Sequence, residues 1–241
     1  MGLGEQVFRY CERGLDPAFW AEPLNAASNV AYLAVAAAML VRMRRLPATV
    51  AGQRWWLILM IGLVALVGAG SFLFHTLATR WALAADVLPI FLFMLVYMAF
   101  ALRVLLGFGL AVTAGIIGAF MTVTIAASSL ACPAMLTGLA VGAPEPCLKG
   151  SVGYVPALLA LVVTSHLLWR RHPAGRHLLA AAAVFLVAVV LRWLDRDLCA
   201  ATRLFGAVRG THALWHLLTA VALAMLLSAA MKTHSDPASE C

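Results

Sequence analysis

The sequence predicts an all-α protein, a seven-transmembrane-helix bundle with a metal site inside the membrane. Three observations predict it. The 241 residues are 64% hydrophobic and 11% charged, where an ordinary soluble domain is roughly 45–50% apolar and about 25% charged. Seven apolar runs approach the roughly 20 residues needed to cross a hydrocarbon core about 30 Å thick. The few ionisable residues inside those runs gather at one end of them. A disordered chain, a disulfide mini-protein and a typical water-soluble enzyme are excluded by the same composition. The net charge of +7 does not indicate a nucleic-acid partner. Basic residues that bind DNA form one exposed patch, whereas here they punctuate apolar runs.

The runs cover residues 24–41, 55–74, 81–102, 104–127, 151–169, 178–194 and 213–231. They are continuous, while a membrane β-barrel would alternate apolar and polar residues, so the spans are helices. The fourth contains Gly107, Gly109, Gly115 and Gly118, which permit close helix approach in lipid. The sixth ends in Arg192, whose stem can snorkel to the interface. Trp20, Trp55, Trp56, Trp81, Trp169 and Trp193 fall at span ends, where an amphipathic indole prefers to sit. Residues 1–232 form one membrane domain, followed by a polar tail over 233–241, and no cleavable signal peptide is visible.

Seven spans put the termini on opposite sides. One side collects nine basic residues, with clusters at Arg42, Arg44, Arg45 and at Arg170, Arg171, Arg176, and the other collects eight. Tight clusters beside span ends orient helices best, which puts the amino terminus outside and the carboxy terminus in the cytoplasm. An Arg- and Ala-rich chain with two lysines, Lys149 and Lys232, suggests a bacterial inner membrane. Cys11, Cys132, Cys147 and Cys199 lie on the outer side; they allow three disulfide pairings, or remain free thiols.

A charged side chain in mid-span costs about 2.5–3.5 kcal/mol on the insertion scale, so polar residues within the runs are functional candidates. Ser71 and His75 end the second run, Asp86 lies near the start of the third, and His212 and His216 open the seventh. Glu22, Asn25, Ser28 and Asn29 lead into the first. Span parity puts Ser71, His75, Asp86, His212, His216 and Glu22 at one level, whichever way the bundle faces. His212 and His216 share a helical face and can hold one metal ion, with His75 as third ligand and a fourth position left for water, as in catalytic zinc sites. No Glu follows His212 as in the common metalloprotease pattern, because Ala213 stands there. Asp86 is therefore the candidate general base, and Ser71 a candidate donor to an oxyanion. His166, His172, His177 and His234 share no site.

Ser71-x-x-x-His75, Asp86 and His212-x-x-x-His216, in that order, resemble the alkaline ceramidase family. Tyr10-Cys11-Glu12 and the stretch from Ala21 to Asn29 are similar to its opening segment. The resemblance spans essentially the whole chain. It implies an intramembrane zinc amidase that cleaves the N-acyl bond of ceramide-type lipids to a long-chain base and a fatty acid, with His75, His212 and His216 on zinc, Asp86 as general acid/base and Ser71 at the oxyanion. It implies a Cys11–Cys199 disulfide. It also implies a calcium site before the first span, with Glu12 and Glu22 as matching ligands, although Arg9 and Gly14 replace two others and leave a site short of oxygens. The expected partners are a ceramide-like lipid and the bilayer, with no nucleic acid and no obligate protein. Two other readings remain: a lipid receptor or sensor similar to the adiponectin receptors, and a transporter that uses His and Asp as a proton relay.

Overall fold

The computed structural model describes residues 2–46, 54–132, 145–170, 172–204 and 206–232. The polar tail over 233–241, with His234 and Cys241, lies outside the described residues, as does Arg171. The elements are α1 (Pro23–Ser28), α2 (Val30–Arg44), α3 (Arg54–Leu77), α4 (Arg80–Phe100), α5 (Leu110–Ser128), α6 (Val155–Leu168), α7 (Ala174–Leu194) and α8 (His212–Lys232). Two short hairpins, Ala131–Cys132 with Glu145–Pro146 and Arg203–Leu204 with Ala207–Val208, join α5 to α6 and α7 to α8. Seven helices are long and apolar enough to cross a membrane, with α1 and α2 counted as one.

Sequence neighbours pack side by side, and α8 closes the ring against α2. The helices α3 and α8 are the most enclosed, each 56% buried over its apolar window, whereas α5 is 17% buried. A site needing shelter from both lipid and water therefore belongs on α3 and α8. The main core joins Tyr32, Leu57, Met60, Val64, Phe93, Tyr97, Phe100, Leu178 and Leu227. Leu59, Leu66, Leu88, Val112, Val123, Leu159, Val187 and Val221 face outward. In water such a surface would promote aggregation; in lipid it is matched to its solvent.

Two expectations change. The fourth span starts at Leu110 rather than near 104, because α4 continues as a π-helical turn over Ala101–Leu105 and the chain then reverses at Gly107 with φ +70°, a conformation glycine adopts without steric cost. The Arg103 guanidinium holds that turn by donating to the Phe108 carbonyl at 2.8 Å. Nor do the fourth-span glycines bring helices together, since a methyl at Gly107, Gly109, Gly115 or Gly118 would meet nothing within 4 Å.

The close approach is made by Gly70 on α3, where a Cβ would collide with the Ala85 carbonyl of α4. Pro89, inside α4, has no N–H to bond that carbonyl. The proline leaves the Ala85 oxygen free of its helical partner, and the glycine gives the neighbouring backbone room beside it. This contact joins α3 and α4 one residue before both Ser71 and Asp86.

The amino-terminal segment lies across the same end of the bundle. Val7 N–H donates to the Ala78 carbonyl at 2.6 Å, and Gln6 bridges Thr79. Disulfides join Cys11 to Cys199 and Cys132 to Cys147. The first is the pairing the family resemblance implied, and it links the segment to the α7–α8 connection.

Gly70→Ala is expected to destabilise the bundle by about 1–3 kcal/mol, the usual cost of overpacking. Gly115→Ala is expected to leave it within about 0.5 kcal/mol, as at an open site. Thermal unfolding in detergent measures both, and equal effects would remove the α3–α4 contact as the reason.

Candidate metal centre

His75 lies in the last turn of α3, and His212 and His216 occupy the first two turns of α8. All three rings are buried. One ring nitrogen from each lies within 4.8 Å of the others, and the ring centroids are 4.5–5.1 Å apart. The i, i+4 spacing supplies two ligands from one face of α8, and the α3–α8 packing brings the third.

Hydrogen bonds around the cluster set which nitrogen faces inward. The Glu22 carboxylate accepts from His75 Nδ1–H at 2.6 Å, which leaves Nε2 with its lone pair, and that Nε2 is buried without a partner. The Ser28 hydroxyl donates its proton to the Asn25 carbonyl at 2.8 Å. It must then accept from His216 Nδ1–H, 2.7 Å away, so His216 Nε2 also carries a lone pair. His212 has a buried, partnerless Nδ1, and its ring is stacked 3.6 Å from that of Tyr10. Three buried rings, each with a nitrogen within reach of one common point, form a donor set that could hold a metal ion.

Ser71 and Asp86 meet this cluster from α3 and α4. Ser71 Oγ is 3.4 Å from His216 Nε2, and the Asp86 side chain lines the same cavity as Ser71. Ser71, Asp86, His212 and His216 line one small cavity together with Tyr10 and Tyr154. A larger, almost wholly apolar cavity borders it and shares Val67 and Ile90. It follows Ile90, Phe93, Met94, Tyr97, Met98 and Ala101 along α4, a distance of about 16 Å at helical rise.

The Ceramidase family model matches residues 9–238. The chain belongs to the ceramidase family. No curated protein matches it.

The sequence placed five site residues of this family member at one level, and the structure brings Ser71, His75, Asp86, His212 and His216 together. The two carboxylates implied as calcium ligands have other partners. Glu12 accepts from the Leu24 and Asn25 amides at 3.0 and 2.8 Å and from Arg209 at 2.9 Å, so it caps α1. Glu22 accepts from His75, from Asn25 Nδ2 at 2.9 Å and from Arg13 Nε at 2.6 Å. Arg13 gives its remaining donors to the Asp16, Ala18, His75 and Thr76 carbonyls at 2.8–3.2 Å. These residues do not fit calcium, because their oxygens face N–H donors and a guanidinium already supplies the positive charge. Burial alone pushes the Glu22 carboxyl up, but the bonds from His75, Asn25 and Arg13 outweigh it and hold the group below the usual range.

Arg192 does not snorkel outward. Its Nη1 donates to Ser151 Oγ at 2.8 Å, and the guanidinium lies over the Tyr154 and Trp215 rings at 5.3 and 5.8 Å, in the wall of the Asp86 cavity.

Sequence reasoning gave no role to Asp195, whose carboxylate accepts from the Cys11, Thr211 and His212 amides at 2.7–2.9 Å. It caps α8 at His212 and ties the amino-terminal segment to it. Burial pushes this carboxyl up, against the pull of those three amides. The signal was available: an acid just after a span, followed by a cysteine, has little reason to face lipid.

Glu22→Gln is expected to weaken metal affinity about 10- to 100-fold, as losses of such orienting partners do; chelator competition measures it, and unchanged affinity would free Glu22 from this role. Removing calcium with EGTA is expected to leave the unfolding temperature in detergent unchanged; a clear drop would restore a calcium site.

Proposed function

We propose that the protein is a zinc-dependent intramembrane amide hydrolase that cleaves the N-acyl bond of ceramide-type lipids to a long-chain base and a fatty acid. The family membership supports a hydrolase of ceramide-type lipids. The finer reading is carried by one observation: partnerless, buried nitrogens of His75 and His212 converge with His216 beside Ser71 and Asp86.

His75, His212 and His216 would hold the ion, which when bound supplies Lewis acidity and lowers the pKa of water. Glu22 and Ser28 keep the His75 and His216 rings turned toward it. Asp86 accepts the proton of the attacking water and returns it to the departing amine nitrogen. Ser71 donates to the oxygen that gains charge as the carbonyl is attacked. The apolar cavity from Val67 and Ile90 to Ala101 takes the acyl chain, so the amide stops at the polar level without leaving the bilayer. We read residues 1–232 as one catalytic membrane unit, in a bacterial inner membrane with the amino terminus outside.

His212→Ala is expected to lose both bound zinc and hydrolysis. Asp86→Asn is expected to keep about one zinc per chain and to lose turnover. Elemental analysis and release of fatty acid from an N-acyl sphingoid lipid measure the two together. Normal hydrolysis by His212→Ala would overturn the metal assignment, and normal turnover by Asp86→Asn would remove that carboxylate from the chemistry.

A further inference from the structure

The polar wall of the Asp86 cavity carries two arginines, Arg192 from α7 and Arg9 from the amino-terminal segment. Four other basic residues at this end of the bundle have carboxylate partners: Arg13 with Glu22, Arg80 with Glu5, Lys149 with Asp197 and Arg209 with Glu12. Among the described residues, no carboxylate lies within ion-pair distance of Arg9 or Arg192. Arg192 is held in place by the Ser151 hydroxyl, the Lys149 carbonyl at 3.3 Å, and the faces of Tyr154 and Trp215. Each of these orients the guanidinium and none neutralises it. The cavity wall thus has two positive side chains against the single carboxylate of Asp86.

The location says which part of a substrate meets them. The apolar cavity leaves the site at Val67 and Ile90 and runs away toward Ala101. Arg192 lies two residues from the end of α7, at the opposite, polar end of the bundle, and Arg9 is in the segment that covers that end. An acyl chain in the apolar cavity leaves the head of the amine half beside the arginines. Guanidinium groups recognise phosphate, sulfonate and carboxylate oxygens through paired N–H donors.

We propose that Arg192, assisted by Arg9, recognises an anionic group on the amine half of the lipid, so that N-acyl lipids with a negatively charged head are preferred over neutral ones. This inference rests on the amide-hydrolase reading and sharpens its substrate class.

The test compares two N-acyl sphingoid lipids with identical chains, one with a free primary hydroxyl and one carrying its monophosphate, in mixed micelles at equal surface density. The wild-type kcat/KM is expected to favour the phosphate by about tenfold or more, as a charge-assisted contact allows. Arg192→Gln is expected to lower that ratio by about tenfold, through KM for the phosphate lipid, with Arg192→Lys retaining part of it. Arg9→Gln, on the exposed flank, is expected to lower the ratio several-fold, and it carries the test if Arg192→Gln does not fold. A wild-type ratio at or below one overturns the proposal, as does an unchanged ratio in the variants. Inhibition by free fatty acid is measured in parallel: if Arg192→Gln relieves it without changing the ratio, the arginine serves the product carboxylate and the proposal fails. Absence of hydrolysis of both lipids by the wild-type protein would defeat the amide-hydrolase reading itself. Hydrolysis of both without preference defeats only the present inference.

Discussion

The Glu22 carboxylate, sealed between Arg13 and His75 with side-chain exposures of 0–2%, is the constraint on which the rest of the site depends. A buried charge that loses its partner costs about 3–5 kcal/mol, so these three groups stay together or the end of the bundle opens. Arg13 brings the amino-terminal segment, Glu22 the start of the first span, and His75 the end of α3. The Arg13–Glu22 ion pair and the His75 hydrogen bond thereby join three pieces of chain and, at the same time, turn a ring nitrogen inward. Such networks add less stability than a well-packed apolar cluster would. Here the network gives direction: it orients the His75 ring and closes the polar end against water.

A second constraint is steric. The polar groups proposed to perform the chemistry must meet inside a low-dielectric region where every donor and acceptor needs a partner. Gly70 and Pro89 solve this on α3 and α4, one by lacking a side chain and the other by leaving a carbonyl unbonded. The helices can then approach so that Ser71 and Asp86 line one cavity. Across the site, Asp195 anchors the first turn of α8 through backbone amides, so the His212 ring is aimed by a helix terminus rather than by a loop. The proposed reactive groups are therefore mounted on helices, and the apolar cavity borders them.

The chemistry and the membrane setting are consistent with each other. A lipid amide lies near the boundary between headgroup and hydrocarbon, and the site lies at helix ends where that boundary falls. Its apolar cavity continues into the bundle, while its polar wall faces the covering amino-terminal segment. Arg192 shows how the setting changes a residue's meaning. At a span end an arginine ordinarily reaches outward to water, but the Ser151 hydroxyl and two aromatic faces hold this one over the cavity.

The sequence by itself determined the seven spans, the all-α class and the shared level of Ser71, His75, Asp86, His212 and His216. Hydropathy, helical spacing and span parity are properties of the chain against its solvent and need no knowledge of neighbours. Only the tertiary structure decided what the outer contacts do. Glu22 meets His75 across 53 residues and Cys11 meets Asp195 across 184, and no local pattern encodes such partners. The glycines make the same point. Gly115 and Gly70 are identical in sequence terms, yet one faces open space and the other a backbone carbonyl. Likewise Glu12 and Glu22 read as oxygen ligands until the N–H groups facing them are known, because a carboxylate's role is set by whatever satisfies its lone pairs.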